Sequence, residues 1–202
     1  MLYQTVEYTE ENQAYYEELV NSMFSDYEQS LLWQCMNDKT CSNLHKDLSK
    51  VVSRHLSEHV PVELYRGISK TTLYQIQDLV VGETFELNRV TSFSSDFATA
   101  RQFAGTYCYG TRVIFSLRNA VKAFNYQEHM MNILLAAPES EFMYNESYAD
   151  NDERGDKLDM VNGEDEWMLP IGTRLRIVNI EDVQNDPLSP AYVMYHLEIV
   201  SI

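Results

Sequence analysis

The sequence predicts an α+β fold, with helices first and a mainly antiparallel sheet after them. Three observations predict it. Apolar residues recur at helical spacing over about the first sixty positions, the period changes to two from Val60, and two strand-like segments close the chain. With 202 residues the chain can build one sizeable core. One domain is expected over residues 1–202, with a helical region at 1–59 and a sheet core at 60–202.

Each element has a local reason. Thr9 is placed to cap a helix that carries Tyr16, Leu19, Val20 and Met23. Leu31 to Met36 is an apolar stretch flanked by helical residues, so it reads as a buried helix. Leu44, Leu48, Val51, Val52 and His55 share one face of a third helix. From there Val60, Val62, Leu64, Arg66 and Ile68 share the parity of a strand. A short helix with Leu73, Ile76 and Leu79 follows, then strand residues between Phe85 and Ser94, and a helix from about Phe97 to Ala104. Arg112 to Leu117 is an apolar strand, and Ala123 to Leu135 builds core with Met130 and Met131 as fillers. Residues 144–163 are acidic and poor in apolar anchors, and read as a long exposed loop. Strands near Arg174–Ile180 and Tyr192–Val200 end the chain.

Composition narrows the function. Fifteen basic against 31 acidic residues give a formal charge of −16, which argues against a generic nucleic-acid groove. Such a charge serves solubility, and it also steers encounters with basic protein surfaces. No run of 18 apolar residues occurs, so no membrane span is expected. The opening residues Met1 to Glu7 lack the basic and apolar regions of a signal peptide. Three cysteines (Cys35, Cys41 and Cys108) and five scattered histidines lack metal-site spacing. A reducing cytoplasm and no metal are expected.

The chemistry concentrates in three places. Glu164 and Glu166 lie two apart, ahead of Trp167-Met168-Leu169-Pro170-Ile171-Gly172, which reads as a strand followed by a turn. In an extended segment both carboxylates would face one way, and like charges that close are best tolerated around something cationic or electron-poor. Arg66 shares the parity of a buried strand face, where a guanidinium needs an anionic partner. That partner is either an internal carboxylate or the phosphate or carboxylate of a ligand. Gly67 next to it would let a ligand approach the backbone. Ser92 and Ser94 share a strand face in Thr91-Ser92-Phe93-Ser94-Ser95-Asp96, with Ser95 or Asp96 able to cap the helix that follows. Alone, these serines describe a strand–helix junction. A second Glu-x-Glu, Glu139-Ser140-Glu141, leads into a polar loop and lacks a rigid platform. No Gly-x-Gly-x-x-Gly, Walker-type loop or Gly-x-Ser-x-Gly elbow is present. His129 and His196 read as ordinary structural residues.

Arg66, the Ser-x-Ser strand at Ser92 and Ser94, and the Glu-x-Glu at Glu164 and Glu166 occur in that order. Together they resemble the Arg–Ser–Glu class of mono-ADP-ribosyltransferases, and within it the small enzymes of T-even bacteriophages. The stretches Leu32-Trp33-Gln34-Cys35-Met36, Leu44-His45-Lys46, Leu64-Tyr65-Arg66-Gly67-Ile68-Ser69-Lys70, Ala123-Phe124-Asn125-Tyr126 and Glu164 to Gly172 carry the likeness over nearly the whole chain. Phe93 replaces the central residue of the commonest Ser-Thr-Ser form but leaves both hydroxyls in place.

The resemblance implies a split β-sandwich around an NAD cleft, and transfer of ADP-ribose from NAD to a protein side chain with release of nicotinamide. It implies that Arg66 holds the NAD phosphates, that Gly67 offers its backbone to the nicotinamide carboxamide, that Ser92 orients the catalytic carboxylate, and that Ser94 belongs to the NAD-binding set. Phe103 would stack on nicotinamide. Glu166 would be the catalytic glutamate, and Glu164 would select and deprotonate an acceptor arginine. It further implies action in the cytoplasm of an infected bacterial host, on host proteins with exposed arginine that belong to the translation or transcription machinery. NAD-capped RNA is an alternative donor. The other readings are an NAD glycohydrolase and a non-catalytic host-protein-binding module on the same scaffold.

Overall fold

A computed structural model of the chain describes residues 8–37, 42–107, 112–142, 153–183 and 191–202. The helices are α1 (Glu10–Met23), α2 (Asp26–Met36), α3 (Ser42–Arg54), α4 (Lys70–Ile76), α5 (Phe97–Tyr107), α6 (Tyr126–Ala136) and α7 (Arg154–Glu164). The strands are β1 (Glu63–Gly67), β2 (Thr84–Glu86), β3 (Thr91–Ser94), β4 (Arg112–Arg118), β5 (Phe124–Asn125), β6 (Glu166–Leu169), β7 (Arg174–Val183) and β8 (Tyr192–Ser201). The α+β class is as expected. Contacts group the chain into two compact units, one of residues 1–39 with 127–163, the other of 40–126 with 164–202.

The first unit is helical. Thr9 caps α1 by accepting the Asn12 N–H, and Ser25 and Glu28 form a reciprocal capping box at α2. Its buried side chains include Val20, Leu31, Leu32, Met130, Leu134 and Val161. Arg154 is only 5% exposed. It donates to the Leu134 and Ala137 carbonyls at 2.7 and 2.8 Å and to the Glu139 carboxylate at 2.9 Å. Its guanidinium lies between the rings of Tyr8 and Phe142. A cation at the C-terminal end of α6 answers that helix's orphan carbonyls and its dipole. The second Glu-x-Glu therefore has a structural role: it forms a 3-10 turn, and Glu139 is Arg154's partner.

The second unit holds an eight-stranded sheet in the order β2-β7-β8-β4-β1-β3-β6-β5. All neighbours are antiparallel except β4 and β8. One face carries the main core, with Leu64, Phe93, Phe115, Leu117, Trp167, Leu169 and Leu197. On the other, α5 packs through Ala100 and Ala104 against Ile114, Tyr192 and Met194. The expected split is visible in the register. β1 pairs with β4 over five residues but with β3 through one pair, Tyr65 with Ser94. The sheet thus nearly divides between β1 and β3.

Three local expectations change. Val62 is 79% exposed because β1 begins only at Glu63, although Leu64 and Ile68 are fully buried as their parity implied. The segment read as a loop contains α7 from Arg154 onward, and its earlier residues, 144–152, lie outside the described ones. Only Val161 of α7 is a buried hydrophobic, so its helical pattern is faint. Arg154 and Lys157, buried charged residues, take the anchoring positions. Third, Glu164 ends α7 and is not on a strand, so parity does not govern its relation to Glu166.

Gly67 has a packing reason that the sequence does not reveal. A Cβ there would lie 2.2 Å from the Ala100 carbonyl oxygen and 2.3 Å from the Ala104 nitrogen. Both are helix backbone, which cannot yield as a flexible side chain does. Gly67→Ala is expected to lower unfolding free energy by at least ~2 kcal/mol in urea titration. Gly155→Ala on α7, with no atom within 4 Å of the new methyl, is expected to leave it unchanged or slightly raised. Equal stability of both variants would mean α5 does not pack on β1 as described.

Candidate active site

The predicted site residues lie on three adjacent strands, β1, β3 and β6, and on the helix and turn beside them. Ser94 is the meeting point. Its Cα pairs with Tyr65 on one side and with Glu166 on the other. Partners in an antiparallel ladder project from the same face, so Tyr65, Ser94 and Glu166 form a row across the sheet. Ser92 lies on that same face one pleat along, opposite Met168. From Tyr65 to Glu166 the row spans two strand spacings, about 10 Å.

Arg66 belongs by parity to the opposite face, with Leu64. Its side chain is half-buried, and Nη1 donates to the Ser92 carbonyl at 2.5 Å. It does so where the β1–β3 ladder stops, so the guanidinium occupies the opening between the two strands. The strand carbonyl of Ser92 is thus one partner of this guanidinium, beside the carboxylate or ligand considered above.

Ser94 is buried and does two things. Its Oγ donates to the Glu164 carbonyl at 2.6 Å and accepts from the Asp96 N–H at 3.0 Å. It thereby ties the start of α5 to the turn between α7 and β6. Asp96 caps α5, taking hydrogen bonds from the Ala98 and Thr99 N–H groups and the Thr99 hydroxyl. Burial alone would raise the Asp96 carboxyl, but these hydrogen bonds outweigh it and hold the group below its ordinary value of 3.8.

Tyr65 is fixed from the other side. Its ring meets Phe97 edge-on at 5.2 Å, and Phe97 in turn meets Tyr192 at 5.7 Å. Burial, then the neighbouring Glu63, push the Tyr65 phenol up. Burial would also raise Glu63, but hydrogen bonds from Ser116, Arg118 and Tyr65, and the charge of Arg118, hold its carboxyl down. Phe103 is exposed on α5, at 37%, next to the Ala104 that packs on Gly67. It is therefore surface and not plain core.

The cluster thus combines a guanidinium, hydroxyls beside it and a carboxylate two strands away. The chain matches the family described as Bacteriophage T4 Mod ADP-ribosyltransferase over residues 4–202. It is 42% identical over 181 residues to the NAD–protein ADP-ribosyltransferase ModB of Enterobacteria phage T4, covering 88% of this chain and 84% of that one. The chain belongs to the Mod ADP-ribosyltransferase family. Solved structures share the fold at low identity. An ADP-ribosyltransferase toxin from Paenibacillus larvae is 11% identical, with 95% of this chain and 94% of that one covered and a TM-score of 0.51. The Vis toxin of Vibrio splendidus is 13% identical, with 98% of this chain and 89% of that one covered and a TM-score of 0.51.

In this Mod-family chain the structure brings Arg66, Ser92, Ser94, Glu164 and Glu166 to one region of the second unit, with Gly67 under α5 and Phe103 on it. Sequence reasoning missed Ser95 and Asp165 as contacts of the site. Ser95 donates its N–H to the Asp165 carbonyl at 3.1 Å and its hydroxyl to the Asp165 carboxylate. The signal available was an Asp between two glutamates at a helix–strand junction, since Asp tolerates left-handed backbone better than most residues.

Asp96→Ala is expected to cost about 1 kcal/mol at neutral pH, as loss of a helix cap does. A carboxyl whose folded pKa is depressed contributes stability above its unfolded pKa and loses it as pH falls through the folded one. Urea midpoints of wild type and variant should therefore differ from pH 7 down to about 4 and converge below that. A constant difference down to pH 2 would contradict the capping account.

Proposed function

We propose that this ADP-ribosyltransferase uses NAD as donor, modifies arginine side chains of host proteins, and releases nicotinamide. The observation that carries the reading is the convergence of Arg66, Ser92, Ser94 and Glu166 on three adjacent strands, with Glu164 at the turn leading into the last.

Arg66 binds the donor's diphosphate through its planar fork. The Gly67 backbone faces the carboxamide, and Phe103 offers its exposed ring to the nicotinamide. Ser92 orients Glu166. Cleaving the nicotinamide–ribose bond builds positive charge on the ribose, as in glycoside cleavage. Glu166 accepts a hydrogen bond from the ribose 2′-hydroxyl and stabilises that charge, an interaction typically worth ~3 kcal/mol in the transition state. An arginine guanidinium, with a pKa above ~12, is a poor nucleophile while protonated. Glu164 orients it and takes its proton as the new bond to ribose forms.

The −16 charge suits an arginine set in a basic surface, and supports protein acceptors over bare RNA. Components of the host translation or transcription machinery present such surfaces. The proposed place of action is the interior of the infected bacterial host; among the described residues no helix is long and apolar enough to cross a membrane. NAD-capped RNA is a proposed second donor, since nothing in the roles above requires the adenosine end to be enclosed.

Two substitutions test the division of labour in assays with labelled NAD and a bacterial lysate. Glu166→Gln is expected to reduce both nicotinamide release and protein labelling by ~100-fold or more. Glu164→Gln is expected to abolish labelling while nicotinamide release to water persists. Equal loss of both activities in Glu164→Gln would remove the proposed acceptor role. Nicotinamide release without labelled protein in the wild type would favour the glycohydrolase reading, and neither product would favour the binding module. Mass spectrometry placing ADP-ribose mainly on lysine, cysteine or carboxylates would overturn the arginine assignment.

A further inference from the structure

Asp165, between the two glutamates, has a backbone φ of 43°. This is the left-handed region, which costs a non-glycine residue about 1 kcal/mol or more. Such a conformation persists where its surroundings hold it. Here hydrogen bonds from the β3–α5 junction hold it. Ser94 Oγ donates to the Glu164 carbonyl, the Ser95 N–H to the Asp165 carbonyl, and the Ser95 hydroxyl to the Asp165 carboxylate. The junction is itself fixed by the Asp96 cap on α5.

The two glutamates depend on this turn unequally. Glu166 is placed by the β3–β6 ladder, which runs through four register pairs from Ser94–Glu166 to Thr91–Leu169. Glu164 is the last residue of α7, and its direction relative to Glu166 is set by the backbone angles between them. If Asp165 relaxed to an ordinary right-handed conformation, β6 would keep Glu166 while Glu164 would swing away. A misplacement of about 1 Å at a reacting group is enough to cost ~100-fold.

We propose that Ser95 and Asp165 are positioning residues that clamp the turn, align Glu164 with Glu166, and so decide whether ADP-ribose passes to a protein side chain or to water. In both outcomes the nicotinamide–ribose bond breaks and nicotinamide leaves with its electron pair. In transfer, the acceptor nitrogen forms the new bond and its proton passes to Glu164. In hydrolysis, a water oxygen forms the bond and its proton passes to solvent. The proposal rests on the separate roles given above to the two glutamates.

The experiment measures label on protein and free nicotinamide in the same reactions, using full-length Ser95→Ala, Asp165→Ala and Asp165→Asn with labelled NAD and a bacterial lysate. Ser95→Ala and Asp165→Ala are expected to lower the ratio of protein label to nicotinamide by ~tenfold or more. Nicotinamide release without acceptor should stay within about threefold of wild type, because the β3–β6 ladder is intact. Asp165→Asn keeps the tolerance for left-handed backbone and an acceptor oxygen, so it should restore most of the ratio. Parallel loss of both activities in folded variants, or an unchanged ratio, would overturn the clamp. Should Asp165→Ala fail to fold, Ser95→Ala decides, since it removes a single hydroxyl. The ratio counts label on any amino acid, so a wild-type enzyme that modifies residues other than arginine would refute the arginine reading and leave the clamp testable.

Discussion

The pairing of β3 with both β1 and β6 is the constraint on which the site depends. Ser94 sits in the middle of that arrangement, with Tyr65 on one side and Glu166 on the other, and its hydroxyl reaches the Glu164 carbonyl. A guanidinium, two hydroxyls and a carboxylate far apart in sequence are thereby brought together by backbone hydrogen bonds. Long-range ladders of this kind hold atoms more firmly than loops do, which is what a charge-stabilising site requires.

The same region is where the sheet is weakest. β1 and β3 share one register pair, and beyond it the Arg66 side chain reaches the Ser92 carbonyl. Opposite, Gly67 lets α5 approach so closely that its backbone nearly touches β1. The opening on one side of β1 and the tight contact on the other are consecutive in sequence, at residues 66 and 67. This gives the Arg-Gly pair a structural meaning independent of any ligand.

Much of this was legible in the sequence. The strand periods around Leu64 and Phe115, the Thr9 cap, the Pro170–Gly172 turn and the order Arg66, Ser92, Glu166 follow from local chemistry and pattern. What was not legible depends on partners distant in the chain. α7 lacks an apolar stripe because a buried arginine anchors it, and hydrophobic periodicity cannot register that. Glu164 and Glu166 look like strand neighbours until Asp165 proves to be left-handed. The need for Gly67 comes from Ala100 and Ala104, which are more than thirty positions away.

The central claim is that Arg66 and Glu166 serve one donor molecule in two ways, one binding its phosphates and the other acting on its ribose. Equilibrium binding of NAD to folded Arg66→Lys, Arg66→Met and Glu166→Gln, followed by calorimetry, tests it most directly. The account predicts that Arg66→Met weakens NAD binding by ~tenfold or more, that Arg66→Lys lies between, and that Glu166→Gln binds NAD nearly as well as wild type. Undiminished NAD binding by Arg66→Met, with folding intact, would contradict it.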